Sequence, residues 1–123
     1  MQFYALFLRR KMKDISQTIN YKGKEYKLVF NLNVMEEIQE EYGSVQAWAD
    51  LTDAQEEPNA KAVKFGFAAM LNEGIDIAND ENGTDEPMLS LKQVGRIITE
   101  IGLQESAQKI NDVVIESTDT GKN

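Results

Sequence analysis

The stretch near Asn59–Asn72 most constrains the fold, because its apolar residues follow two faces of one helix. One face has helical spacing and consists of Ala60, Val63, Phe67, Met70 and Leu71. Phe65 lies two residues from both Val63 and Phe67, so it points about 200° round the helix from them. With Ala62 and Ala69, Phe65 forms a second apolar strip. A helix that is apolar on two sides is either central in the fold or covered by a partner.

We therefore take Ala62, Phe65 and Ala69 as candidate partner-binding residues. Phe65 would then face a partner or a second copy of the chain. The alternative is that Phe65 belongs to the main core, since aromatic side chains are often buried. Four residues are expected in the core, namely Trp48, Phe67, Val94 and Ile98.

A β-hairpin is predicted before this helix. Ile15–Tyr21 alternates apolar and polar residues, and Glu25–Leu32 is rich in residues that favour strands. Lys22-Gly23-Lys24 lies between them and supplies a glycine for the turn. Two strands alone are marginal in water, so the hairpin must pack on helices.

Two short helices are predicted next. Asn33 is a candidate N-cap, with Glu36 three residues later as in a capping box, and Gly43 would end this helix. Ser44 can cap the second helix, and Asp53–Pro58 is an acidic break after it.

The C-terminal part predicts a loop and two further helices. Asp76–Pro87 is polar and acidic, with Asn82-Gly83 as a turn signal, and is predicted to be a mobile loop. Ser90 begins a helix whose apolar face includes Leu91, and Gly102 ends it. The last helix is predicted from about Leu103 to Ile115.

These elements predict an α+β, mostly helical fold, with an N-terminal β-hairpin packed on about four to five short helices. A chain of 123 residues suits one domain, expected here over residues 12–117. Residues 1–11 are set apart, because an apolar run, Phe3–Leu8, is followed by three bases. Met12 is the expected natural start; the alternatives are an extra element that covers the core or a partner-binding arm. Residues 118–123 are expected to form a polar tail.

The composition excludes several kinds of chemistry. The chain has no cysteine and no histidine, so it has no thiolate metal site, no cysteine nucleophile and no Ser-His-Asp triad. The segment 78–89 has Ala78 and Leu89 where a calcium loop needs its first ligand and its bidentate glutamate. We expect no catalytic residues, no metal and no cofactor, and a protein that works by binding.

The charge is unevenly distributed along the chain. Residues 1–30 hold seven basic and two acidic residues, and the remaining residues hold six basic and nineteen acidic ones, for a net charge of −8. An acidic body repels phosphate backbones and attracts basic partners, so nucleic acid is not an expected partner. No apolar run approaches the roughly 20 residues of a membrane-spanning helix. We therefore expect a cytoplasmic protein that does not enter a membrane.

The order of these elements resembles the tail assembly chaperones of long-tailed, siphovirus-type phages and prophages. In that family, a strand pair of the form G-K-x-Y-x-L precedes a helix that ends in an acidic residue, an aromatic residue and glycine. The corresponding residues here are Gly23–Leu28 and Glu41-Tyr42-Gly43, and Met70–Gly74 is similar to a segment of the acidic helices that follow. The similarity covers roughly residues 15–115.

The resemblance implies a non-enzymatic protein. Several copies would coat the helical tape measure protein while the tail is built in the bacterial cytoplasm, and none would remain in the virion. It also implies a longer frameshifted form that recruits tail tube protein. Gly121-Lys122-Asn123 can be encoded by GGA-AAA-AAC, which contains a slippery heptamer. The alternatives are a structural head–tail joining or tail-terminator protein and, less favoured, a nucleic-acid-binding regulator that uses the basic hairpin.

Overall fold

The computed structural model describes residues 16–118, which contain a β-hairpin followed by five helices. The strands are β1 (Ser16–Tyr21) and β2 (Lys24–Val29). The helices are α1 (Leu32–Tyr42), α2 (Val45–Leu51), α3 (Ala60–Asn82), α4 (Leu91–Ile101) and α5 (Leu103–Thr118). The α+β, mostly helical prediction is confirmed.

The two strands pair antiparallel through a two-residue turn. Ser16 lies opposite Val29, and Tyr21 lies opposite Lys24. Lys22 and Gly23 both have positive φ, at 52° and 75°, which is the backbone that a type I′ hairpin turn requires. The second strand is shorter than predicted, because the chain enters α1 at Leu32.

The predicted capping box at Asn33 and Glu36 was wrong. Asn31 is the N-cap of α1, and its side chain accepts a hydrogen bond from the Val34 backbone N–H at 3.2 Å. Two asparagines were equally suitable caps by residue type. Both side chains also donate to Glu73 on α3, so this contact does not distinguish them. Gly43 at the end of α1 and Ser44 at the start of α2 take the predicted capping positions.

Helix α3 ends ten residues later than predicted, so the predicted loop Asp76–Pro87 was wrong over residues 76–82. The helix continues to Asn82 and ends at Gly83, which has the left-handed φ of 66°. The added turns pack on the hairpin. A Cβ at Gly74 would lie 2.4 Å from the Lys27 carbonyl oxygen, so helix and strand approach closely there. Tertiary packing has therefore outweighed a polar local sequence.

The core surrounds α3, which contacts β2 and all the other helices. The four expected core residues Trp48, Phe67, Val94 and Ile98 are buried. Trp48 from α2 lies against α3, and a Cβ at Gly66 would lie 2.3 Å from Cζ2 of its indole ring. A glycine is needed at that position because any side chain would collide with the ring.

The last two helices begin and end close to the predicted residues. Ser90 and Gln93 form a reciprocal capping box, and Gly102 follows the end of α4. Leu91 is 52 % exposed rather than buried. Helix α5 continues to Thr118, three residues beyond the predicted Ile115, with Ser117 buried. The predictions for residues 1–11 and 121–123 concern segments outside the described residues.

Candidate partner-binding site

The structure brings together two of the three candidate residues. Phe65 and Ala69 are half-buried and line the same surface groove. Ala62 is fully buried and does not line this groove. Its carbonyl oxygen accepts a hydrogen bond of 3.0 Å from the Trp48 indole N–H. The second apolar strip of α3 is therefore covered at Ala62 and open from Phe65 onward.

The groove lies between α1, the middle of α3 and the start of α4, and it has a volume of about 480 Å³. Its apolar lining comes from two directions. Helix α3 contributes Phe65, Ala68 and Ala69. The opposite side contributes Met88 and Leu91, which are 45 % and 52 % exposed. Five large apolar side chains are exposed among residues 16–118, and two of them, Met88 and Leu91, meet in this groove.

Phe65 has one edge fixed by the fold and another open to the groove. Its ring meets the Tyr42 ring edge-on, with centroids 5.6 Å apart and planes at 74°. Burial, followed by the charge of Glu41, raises the pKa of the Tyr42 phenol. No atom of the described residues forms a hydrogen bond with the buried Tyr42 hydroxyl. Phe65 therefore packs against the core and also remains partly accessible from the groove.

The sequence did not indicate Met88 and Leu91 as members of the site. The side chain of Asn72 on α3 fixes their position, because it binds the Leu89 backbone twice. Its Nδ2 donates to the Leu89 carbonyl at 3.0 Å, and its Oδ1 accepts from the Leu89 N–H at 2.8 Å. The only sequence signal was an apolar pair, Met88-Leu89, inside an otherwise polar stretch.

The rim of the groove is acidic and consists of Glu37, Glu73 and Asp76. Glu73 accepts hydrogen bonds from the side-chain amides of Asn31 and Asn33, at 2.8 and 3.2 Å. Desolvation is the main cause of a raised pKa at Glu37, and the charges of Glu73, Glu40 and Glu36 add to it. This rim disfavours further negative charge and favours a cation.

The basic hairpin engages its own aromatic residues. Lys22 Nζ lies 5.5 Å from the Tyr21 ring centroid, and Lys24 Nζ lies 5.8 Å from that of Tyr26. Lys24 also forms a hydrogen-bonded ion pair with Glu86, and this contact is the main cause of the raised pKa of Lys24. Tyr21 and Tyr26 also pack against the core.

Residues 16–118 contain no group of three or more acidic side chains placed to hold a metal ion. Within the same residues, no helix is long and apolar enough to cross a membrane. No protein-family model matches the chain, and no curated protein or solved structure matches it. Any functional argument must therefore start from the groove and its charge.

Proposed function

We propose that the protein is a tail assembly chaperone of a long-tailed phage or prophage, and that it binds the helical tape measure protein without enzymatic activity. The observation that carries the proposal is the groove at Phe65 and Ala69, which combines an apolar floor with an acidic rim. The resemblance of the hairpin and α1 to that family provides the particular client.

The groove has the properties of a docking site for an amphipathic helix. Such a helix places apolar side chains in a hydrophobic groove and keeps its polar face toward water. Phe65, Met88 and Leu91 offer apolar surface for these anchors. Glu37, Glu73 and Asp76 lie where basic residues beside the anchors would pair with them. A basic amphipathic segment of the tape measure protein is the occupant that fits this arrangement.

The remaining parts of the proposal come from the family resemblance. The chaperone acts in the bacterial cytoplasm while the tail is assembled and is absent from the mature virion. Several copies bind one client, with self-association as a further contact. A longer frameshifted form recruits the tail tube protein.

The test uses overlapping peptides from the long helical protein encoded beside this chain. Binding to the full chain is measured by fluorescence anisotropy. We expect basic amphipathic peptides to bind and Met88→Glu to weaken them on the order of tenfold or more, because it places a charge in the apolar floor. Ile115→Glu is the matched control: Ile115 is 57 % exposed on α5 and lies outside the groove.

Phe65→Glu is a second test variant, and it should abolish peptide binding. Circular dichroism establishes that each variant is folded. If no peptide binds, or if Met88→Glu and Ile115→Glu weaken binding equally, the proposal is wrong. Stable closed rings without a client would favour the tail-terminator alternative. Salt-sensitive binding to RNA or DNA would favour the regulator.

A further inference from the structure

A second groove lies next to the first one and carries the opposite charge. Its volume is about 590 Å³, and it lies between the first turns of α3 and the length of α4. Four of its lining residues are basic, namely Lys61, Lys64, Lys92 and Arg96. Its other lining residues are Ala60, Gly95, Ile98, Thr99 and Leu103, so no acidic residue faces it.

The concentration of positive charge at this groove is unusual for the chain. Residues 31–123 hold only six basic residues against nineteen acidic ones, and four of the six are in this groove. Within residues 16–118, none of the four forms an ion pair, and the ion pair found there joins Lys24 to Glu86. No carboxylate among the described residues is paired with these four side chains, so they are open to a ligand.

The two grooves are lined by neighbouring residues of both helices. On α3, Lys64 lines the basic groove and its neighbour Phe65 lines the acidic one. On α4, Lys92 lines the basic groove and its neighbour Leu91 lines the acidic one. From Lys61 to Asp76, α3 rises about 22 Å, since each helical residue adds about 1.5 Å. That length matches about four turns of a docked helix.

We propose that the two grooves form one furrow, which binds a single amphipathic partner helix with acidic residues in its first turns and basic residues in its last turns. The acidic end lies beside Lys61, Lys64, Lys92 and Arg96, and the basic end lies beside Glu37, Glu73 and Asp76. A helix favours acidic residues near its N-terminus and basic residues near its C-terminus. The docked helix therefore runs parallel to α3. This inference rests on the proposed function, because it extends the same docking site and specifies its ligand.

Nucleic acid fits the basic groove less well than an acidic peptide segment. Single strands are usually held by bases stacked on aromatic side chains, and no aromatic residue lines this groove. The chain carries a net charge of −8, which repels a long polyanion. A helix with a local acidic end is not repelled in this way, because its basic end lies at the acidic rim.

Three helical peptides of about 15 residues with the same apolar residues test the furrow. Peptide one has glutamates in its first turns and lysines in its last turns; peptide two has these charges exchanged; peptide three is basic throughout. Affinity for the full chain is measured by fluorescence anisotropy. We expect peptide one to bind on the order of tenfold more tightly than peptide two, because only its charges match both ends.

Lys92→Glu should reduce this preference several-fold, because Lys92 is an exposed member of the basic end. Lys109→Glu is the matched control, since Lys109 lies on α5 outside both grooves and should leave the preference unchanged.

Each other result overturns the furrow. If peptide three binds through Phe65 while peptides one and two bind equally, the acidic groove and the proposed function stand and the furrow is wrong. If no peptide binds, both are wrong. An RNA oligonucleotide that binds the basic groove and is displaced by salt would also overturn it.

Discussion

Ala62 and Phe65 lie three residues apart on one apolar strip of α3, yet they have different surroundings. Near Ala62, the Trp48 indole packs over Gly66 and donates a hydrogen bond to the Ala62 carbonyl. A side chain from α2 thus packs at the N-terminal part of α3. Among residues 16–118, Phe65 makes an aromatic contact with the edge of Tyr42, and it also lines the groove. Helical spacing identified the strip, but contacts with other elements, including Trp48 at 14 positions from Ala62, set the surroundings of each residue.

The carboxyl of Glu37 makes binding of a basic segment dependent on pH. Desolvation, followed by the charges of Glu73, Glu40 and Glu36, raises its pKa above the ordinary 4.5. A bound cation favours the ionised form, so binding releases any proton that Glu37 holds. The affinity for a basic peptide should therefore be highest at neutral pH and should fall as the pH drops through the raised pKa of Glu37. Anisotropy titrations with a basic peptide between pH 7 and pH 4 measure this.

Glu37→Gln should weaken binding at neutral pH and reduce the pH dependence in the window just above pH 4.5. Glu57→Gln is the control, because Glu57 lies in the exposed break before α3, away from the groove. Identical pH profiles for Glu37→Gln and the unaltered chain would show that another group controls the dependence.

At the scale of single elements, local signals were sufficient where the cap lies beside its own helix. Ser44 and Ser90 were predicted as N-caps, and their hydroxyls accept the expected backbone N–H groups. Gly43 and Gly102 follow their helices with positive φ. These features depend on three or four adjacent residues, so the sequence contains all the information they need.

The sequence failed where distant residues decide an element's limits. The added turns of α3 are polar, and they are helical because Gly74 lets the helix approach β2. Asn31 is the cap of α1. The side chains of Asn31 and Asn33 both reach Glu73, which is 42 and 40 positions away from them. The acidic rim of the groove depends on these distant contacts, because Glu73 and Asp76 belong to it and both lie in the added turns of α3. Phe65 and Ala69 were therefore predictable, but Met88 and Leu91 were not.

Two asparagines on α3 hold the segment that leads into α4, and they provide a matched pair of variants. Asn72 binds Leu89, beside the groove, and Asn79 binds the backbone of Glu86, away from it. Asn72→Ala should lower the free energy of unfolding by about 1–2 kcal/mol, because it removes two hydrogen bonds. It should also weaken client binding, because Met88 and Leu91 lose their support.

Asn79→Ala should cost a similar free energy of unfolding and leave client binding much less affected. Urea denaturation measures the first quantity and fluorescence anisotropy the second. Equal losses of affinity in the two variants would show that the placement of Met88 and Leu91 does not depend on Asn72.

The charge of the whole molecule adds a long-range effect to the local contacts. The net charge is −8, while the basic residues after residue 30 are concentrated in one groove. The proposed basic client is therefore expected to be attracted before it touches the protein, and the basic groove is expected to influence its orientation once it is close. Attraction over this range depends on ionic strength, since the Debye length is about 8 Å in physiological salt.

The association rate of a basic amphipathic peptide should therefore fall steeply with salt, on the order of tenfold between low and physiological ionic strength. Its dissociation rate should change much less, because release breaks apolar contacts at Phe65, Met88 and Leu91. Stopped-flow fluorescence measures both rates. A peptide with the same apolar residues and no net charge is the control, and its association rate should be nearly independent of salt. If both peptides associate at rates equally insensitive to salt, the acidic body has no part in capturing the client, and recognition depends on the groove contacts alone.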